Sequence, residues 1–290
     1  MRVAIIGGSG KMGKWFAHFL KNDGKGIVIY ARNKANLEDA AEHLGVEATA
    51  DLSEAVTGAD YVILSVPIDS FERVVLQLKP LLTEGQVVID VTSIKERPVE
   101  LMQKHLSQCR ILGTHPVFGP GAKGMRNQNF VLTPTNEQET QLSDKLQEYL
   151  EKQGAVVTVM TPREHDEMVS IILGLAHFIA IVSADALLNF DKLRQMASIA
   201  GPTYKVLLTL AESVITEDPE LYASLQMNLP HITEVEGLFL KSTNVWADIV
   251  REKDKDAFIE RMNGLKKRME SSNPEFGKSY EDMYKMLDRV

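Results

Sequence analysis

Through the first half of the chain, short apolar runs alternate with amphipathic stretches. The apolar runs, rich in β-branched residues, fall at residues 3–6, 27–30, 61–65, 87–90 and 111–114. Between them, residues 11–22, 34–44, 69–78 and 98–106 place apolar side chains at helical spacing. Strands that are apolar along their whole length need cover on both faces, so the alternation predicts a parallel sheet between two helical layers. Residues 130–133 and 156–160 flank a helical pattern around 137–152 and are expected to extend that sheet. The fold class that follows is α/β, a Rossmann-type doubly wound parallel sheet.

From Thr161-Pro162 onward the pattern changes to long helices, near 163–189, 191–215, 218–251 and 254–270. Pro219 and Pro230 punctuate the third of these. The tail after Ser271 is polar with little helical signal. The boundary is therefore drawn at residue 162, giving a nucleotide-binding domain over 1–162 and an all-helical domain over 163–290. Residues 168–184 form a run of 17 in which His177 is the only strongly polar member. That is short for a membrane span, and Glu164, His165, Asp166, Glu167 and Asp185 close its ends. A helix apolar all round is expected in a core or a subunit interface. His165 and Asp166 suit a solvated helix start equally well, since acids are favoured there, and neither is taken as a site residue.

Composition narrows the function classes. The 290 residues carry 32 Lys+Arg against 40 Asp+Glu, a net charge of −8, with 44% hydrophobic and 25% charged residues. This is a globular composition with ample core for two domains. An acidic chain lacks the clustered cations that nucleic acid requires. The single Cys109 excludes a disulfide framework and a Cys-rich metal site, and suits a reducing cytoplasm. Residues 2–6 already read as a strand, so no secretory signal is expected.

Directly behind that first strand stands Gly7-Gly8-Ser9-Gly10-Lys11-Met12-Gly13, opening the first helix. A turn without side chains lets backbone N–H groups approach a pyrophosphate. The helix N-terminus favours its charge, and Gly13 permits close helix–strand packing. Strand–turn–helix context makes this a dinucleotide site. Cofactor choice is read at the end of the strand over 27–30, where NAD sites carry an acid for the ribose hydroxyls. Here the chain continues Ala31-Arg32-Asn33-Lys34, without a carboxylate, so cations are available for a 2′-phosphate. NADP is expected over NAD. Ser65-Val66-Pro67, ending the strand over 61–65, would line the cofactor on the carboxyl edge of the sheet.

Two further strand ends supply candidate chemistry. Ser93 lies in Asp90-Val91-Thr92-Ser93-Ile94-Lys95, and His115 opens His115-Pro116-Val117-Phe118-Gly119-Pro120. A histidine beside the nicotinamide can take a hydroxyl proton as hydride leaves the same carbon, with Ser93 orienting the ring. At these residues the chain resembles the prephenate dehydrogenase family, particularly its archaeal members. The likeness runs through Lys11-Met12-Gly13-Lys14-Trp15-Phe16, the Ser93 and His115 segments, residues 164–178, Gly201-Pro202-Thr203-Tyr204-Lys205 and residues 218–223.

The resemblance implies a Rossmann domain followed by a helical domain that forms a homodimer, with the active site between domains. The implied reaction is oxidative decarboxylation of prephenate to 4-hydroxyphenylpyruvate, on the route to tyrosine. His115 matches the family's catalytic histidine and Ser93 its partner serine. His177 matches a helix histidine near substrate and cofactor, and Tyr222 a tyrosine of the substrate pocket. One departure concerns the dicarboxylate substrate. Eight residues after Lys205, where the family carries a carboxylate-gripping arginine, this chain has Ser213 with Glu212 beside it. Lys205 is the nearest cation, about 12 Å along the helix axis from Ser213. Arogenate, the amino counterpart of prephenate, is the alternative substrate, and a silent NADP-binding sensor the alternative from another class. No metal, nucleic acid or membrane partner is expected.

Overall fold

A computed structural model describes residues 1–287. The chain divides into two compact units, the first made of Met1–Val169 with Met227–Pro230, the second of Ser170–Gln226 with the remainder from His231.

The first unit is built on one eight-stranded sheet. Its strands are β1 Arg2–Ile6, β2 Gly26–Tyr30, β3 Glu47–Thr49, β4 Tyr61–Leu64, β5 Val87–Asp90, β6 Arg110–Pro116, β7 Asn129–Thr133 and β8 Val156–Val159. They lie in the order β3-β2-β1-β4-β5-β6-β7-β8. The reversal of winding between β1 and β4 is the switch point at which open α/β sheets bind ligands. All pairs are parallel except β6 with β7, where Gly113 stands opposite Thr133 and His115 opposite Val131.

Helices cover both faces. On one face α1 Lys11–Asn22, α2 Lys34–Leu44 and α6 Glu137–Lys152 pack over Val3, Ile5 and Ile29. On the other, α3 Leu52–Val56, α4 Ile68–Leu78 and α5 Glu96–His105 pack over Ala4, Ile6 and Leu64. Strand residues alternate between the two cores, as the period of two requires. In α1 the buried residues Gly13, Phe16, Ala17 and Leu20 recur at the helical stripe spacing. Burying Phe16 or Leu20 there contributes about 1.5–3 kcal/mol each.

Two elements were absent from the sequence expectation. β3 is three residues, Glu47-Ala48-Thr49, without a buried side chain, and α3 is a single turn capped by Asp51, whose Oδ1 accepts from Ser53 and Glu54 N–H. Neither carries an apolar period long enough to read.

The chain continues as α7 Pro162–Val169, a π-helical turn Ser170–Leu175 and α8 Ala176–Leu188. The second unit then holds α9 Leu193–Ser198, α10 Pro202–Ile215, α11 Pro219–Asn228, α12 Ile232–Glu252, α13 Lys255–Ser272 and α14 Ser279–Leu287. The expected helix over 191–215 is two helices, broken at Gly201, which starts α10 with extended φ and ψ. The one over 218–251 breaks at Pro230, where His231 adopts a left-handed φ of 61°. The polar tail forms α14, which packs on α10.

Pro162–Leu188 is, among the described residues, the one helical run long and apolar enough by composition to cross a membrane. It is not sunk in a core of this chain, one of the two places expected of an all-apolar helix. Met168, Ile171, Ile172 and Val182 are 42–54% exposed.

Candidate active site

The glycine turn is shaped by contacts that forbid side chains. Gly7 has φ +86°, and a Cβ there would strike the Ser65 carbonyl. A Cβ at Gly13 would collide with Gly7 O and come within 2.8 Å of Gly8 Cα. Gly7 and Gly8 N–H both donate to Tyr30 O, at 2.9 and 3.0 Å, which ties the turn to the end of β2. Gly10 caps α1 without a side-chain hydrogen bond, and the first turn, which holds Lys11 and Met12, contains no acid. The first-turn N–H groups of a helix point out along its axis, and with no acid nearby the positive end of α1 favours an anion. This cradle fits a dinucleotide pyrophosphate.

Ser9 and the exposed Lys11 lie on the same turn, and Ser65-Val66-Pro67 joins β4 to α4 beside it, with Ser65 N–H donating to Ile6 O. Past β2, Arg32 and Lys34 are exposed and without a protein partner among the described residues. Asn33 has a different duty: its Oδ1 accepts from Asn36 N–H at 3.0 Å and caps α2.

His115 sits on β6 itself and is 4% exposed. Its Nδ1 meets His165 Nε2 at 2.8 Å, the rings crossing at 76°. His165 Nδ1 in turn meets Asp166 Oδ1 at 2.7 Å. Asp166 accepts Lys95 N–H on Oδ1 at 2.7 Å and Glu96 N–H on Oδ2 at 2.9 Å, so its carboxylate holds the start of α5. Beneath lies an ion pair with no exposure at either side chain: Lys95 Nζ bonds Asp90 Oδ2 and donates to Thr114 O at 2.6 Å. Thr92 N–H donates to the other Asp90 oxygen at 2.8 Å.

Burial dominates the titration of this cluster. It pushes the His115 ring well below the ordinary histidine range, helped by repulsion from His165 and Lys95. His165 is lowered for the same reason, with Asp166 opposing. Desolvation raises Asp90 and lowers Lys95, each restrained by the other, and the pair carries no net charge whether or not the proton crosses. Both imidazoles are therefore neutral near pH 7.

Two expectations change here. His165 and Asp166 are no solvated helix start: each is 1% exposed, drawn inward by the α5 amides and the His115 ring. The partner of His115 Nδ1 is His165; Ser93, half-buried on the β5–α5 loop, makes no hydrogen bond to it among the described residues. No local spacing signals this pairing, since His115 and His165 stand 50 residues apart in the chain.

In the second unit, His177 on α8 packs edge-to-face on Tyr222 of α11, centroids 4.8 Å apart. His177 Nδ1 is buried without a hydrogen-bond partner among the described residues, and burial lowers the ring's pKa. One helical turn after Tyr222, Gln226 Nε2 donates to Gly174 O at 2.9 Å. Lys205 and Ser213 are both exposed on α10, where Ser213 Oγ donates to Leu210 O at 2.8 Å.

Two family models match the chain: prephenate dehydrogenase, nucleotide-binding domain, over residues 16–159, and prephenate dehydrogenase, dimerization domain, over residues 161–264. A probable arogenate/prephenate dehydrogenase of Methanocaldococcus jannaschii is 34% identical over 97% of this chain and 64% of its own length. The T-protein of Haemophilus influenzae is 30% identical over 78% of this chain and 56% of its own. The chain thus spans about six-tenths of these relatives. The crystal structure of prephenate dehydrogenase from A. aeolicus in complex with hydroxyphenyl propionate and NAD+ shares the fold, with TM-score 0.75 at 24% identity over 93% of this chain and 98% of that one.

Proposed function

The chain belongs to the prephenate dehydrogenase family, and from that premise we propose that it oxidatively decarboxylates prephenate to 4-hydroxyphenylpyruvate with NADP as preferred cofactor. The observation that carries the reading is His115: a neutral imidazole at the carboxyl end of the sheet, with Nδ1 engaged and Nε2 left without a protein partner among the described residues. Such a nitrogen takes the proton of the substrate's ring hydroxyl. Hydride leaves the same carbon, and loss of the ring carboxylate as carbon dioxide then restores aromaticity. The bound nicotinamide supplies the hydride acceptor. Ser93, on the adjacent loop, offers a hydroxyl to the same substrate oxygen.

Gly7, Gly8, Gly10 and Gly13 admit the pyrophosphate, and Arg32 with Lys34 meets the 2′-phosphate that distinguishes NADP. His177, Tyr222 and Lys205 are the substrate-side residues of the proposal. The second unit's exposed apolar residues, Ile171 and Ile172 among them, are covered by a second copy of the chain in a homodimer.

Arogenate is the second reading, favoured by Ser213 in the place of an arginine. Its side chain carries an ammonium as well as a carboxylate, so it asks less of a pocket short of cations. Purified protein with NADP and either substrate separates these readings by absorbance of the reduced cofactor. Reduction with prephenate supports the first, reduction with arogenate alone the second, and none with either refutes both.

A further inference from the structure

We propose that His165 and Asp166 are positioning residues that fix His115 in one tautomer, with the proton on Nδ1 and the lone pair on Nε2. The proposal rests on the reading of His115 as the base, but its first test needs no reaction.

Asp166 is the member of this hydrogen-bond chain whose role the backbone fixes. It accepts a backbone N–H bond on each of its two oxygens at the start of α5, so both oxygens stand as acceptors. The nitrogen facing Asp166 Oδ1 at 2.7 Å, His165 Nδ1, must then be the donor. A neutral imidazole carries one proton, so His165 Nε2 is bare and can only accept. The nitrogen it faces at 2.8 Å, His115 Nδ1, is consequently protonated. His115 is itself held neutral by burial, which leaves the lone pair on Nε2. Each tautomer is set by the hydrogen bond before it, back to two peptide N–H groups that cannot rearrange without unwinding α5.

The same chain determines what happens when His115 takes a proton. The proton adds at Nε2, Nδ1–H stays bonded to His165, and the imidazolium charge is met by Asp166 only across an intervening ring. No proton needs to pass to the carboxylate. The charged groups around the ring are Lys95, which disfavours the imidazolium, and Asp90, which neutralises Lys95; on β7 the facing residue is Val131. His115 thus stays ready to accept a proton below the ordinary histidine range, a property that a histidine bonded directly to a carboxylate lacks.

The experiment is nitrogen-15 NMR of ring-labelled histidine in the intact protein, with His115→Asn for assignment. His115 should show a protonated Nδ1 and a bare Nε2, unchanged between about pH 6 and 8. His165→Leu removes the acceptor and should yield a mixture of tautomers. His165→Gln, whose amide oxygen reaches the Nε2 position, should restore the single one. In turnover, His165→Leu should lower kcat about 10–100-fold, part of what a general base supplies. KM should stay within about twofold and the glutamine variant should recover most of the loss. A wild-type His115 protonated on Nε2, or a tautomer indifferent to His165→Leu, overturns the proposal. Should the leucine variant not fold, the wild-type tautomer and the glutamine variant decide it. A wild-type chain that oxidises neither prephenate nor arogenate removes the functional reading, while the tautomer measurement still passes or fails by itself.

Discussion

Replacing Lys95 with methionine strips the cation from a carboxylate that solvent does not reach. Both Lys95 and Asp90 have 0% side-chain exposure, so no water can take the ammonium's place. Methionine keeps roughly the volume and the backbone N–H that Asp166 accepts, and isolates the charge. Removing one partner of a buried pair costs about 3–5 kcal/mol. The Thr114 carbonyl, which Lys95 Nζ also serves, loses a donor at about 1–3 kcal/mol more. The cost depends on pH. Desolvation already raises Asp90, and Lys95 is the largest influence holding it down. Without Lys95 the folded-state value rises further above the unfolded one of about 3.9. A group whose folded acid form is favoured keeps its stability below the unfolded pKa and loses it as pH rises, at up to about 1.4 kcal/mol per unit. The variant should therefore be hurt more at pH 8 than at pH 5. Urea unfolding on a Trp246→Phe background leaves Trp15 of α1 as the reporter of the first unit. Adding Asp90→Asn to Lys95→Met should recover much of the loss at pH 8. A loss below about 1 kcal/mol, or one equal at the two pH values, refutes the account of a buried charge pair.

His115→Asn should lower turnover about 10²–10⁴-fold with KM little changed, and near-normal turnover would remove His115 from the chemistry. The wild-type kcat/KM should hold to an acid limb below the usual histidine value of 6.5, because activity is lost only as pH falls through a depressed pKa. Arg32→Ala should weaken NADP about tenfold or more and leave NAD unaffected, as loss of a charge-assisted phosphate contact requires; equal effects in titrations of both would count against that contact. Ser213→Arg should lower KM for prephenate more than it raises kcat, and an unchanged KM would place the carboxylate elsewhere. By sedimentation at micromolar concentration the protein should be a dimer, and a monomer would leave the exposed apolar helix face unexplained.

What the sequence made legible follows from how local the cause is. β1, the glycine turn and α1 were readable because an apolar run, a side-chain-free turn and a helical stripe sit within residues 2–22, and each dictates its own backbone. The carboxyl-edge placement of His115 was readable for the same reason, as a consequence of parallel winding. β3 was not, since Glu47-Ala48-Thr49 is defined by its pairing to β2 and by nothing in its composition. Asp166 shows the limit most clearly. An acid in the first turn of a helix suits solvent and suits a buried cap equally well, and what decides is the pair of amides at Lys95 and Glu96, some 70 residues away. Ser93 was matched to His115 through the family pattern, whereas the partner the structure gives His115 Nδ1 is His165, a contact 50 residues apart in the chain.

The first unit includes Met227–Pro230, and this bears on the order in which the protein is made. Asn228 Nδ2 donates to Asp69 Oδ1 at 3.0 Å, and Leu229 is buried. A growing chain folds its N-terminal portions first, as they leave the ribosome. All eight strands have been synthesised by Val159, but the last segment of their unit arrives only after residues 170–226. The nucleotide-binding half is thus finished late, by a piece delivered from within the helical half. A gene fragment ending at residue 169 encodes the sheet without its final strap.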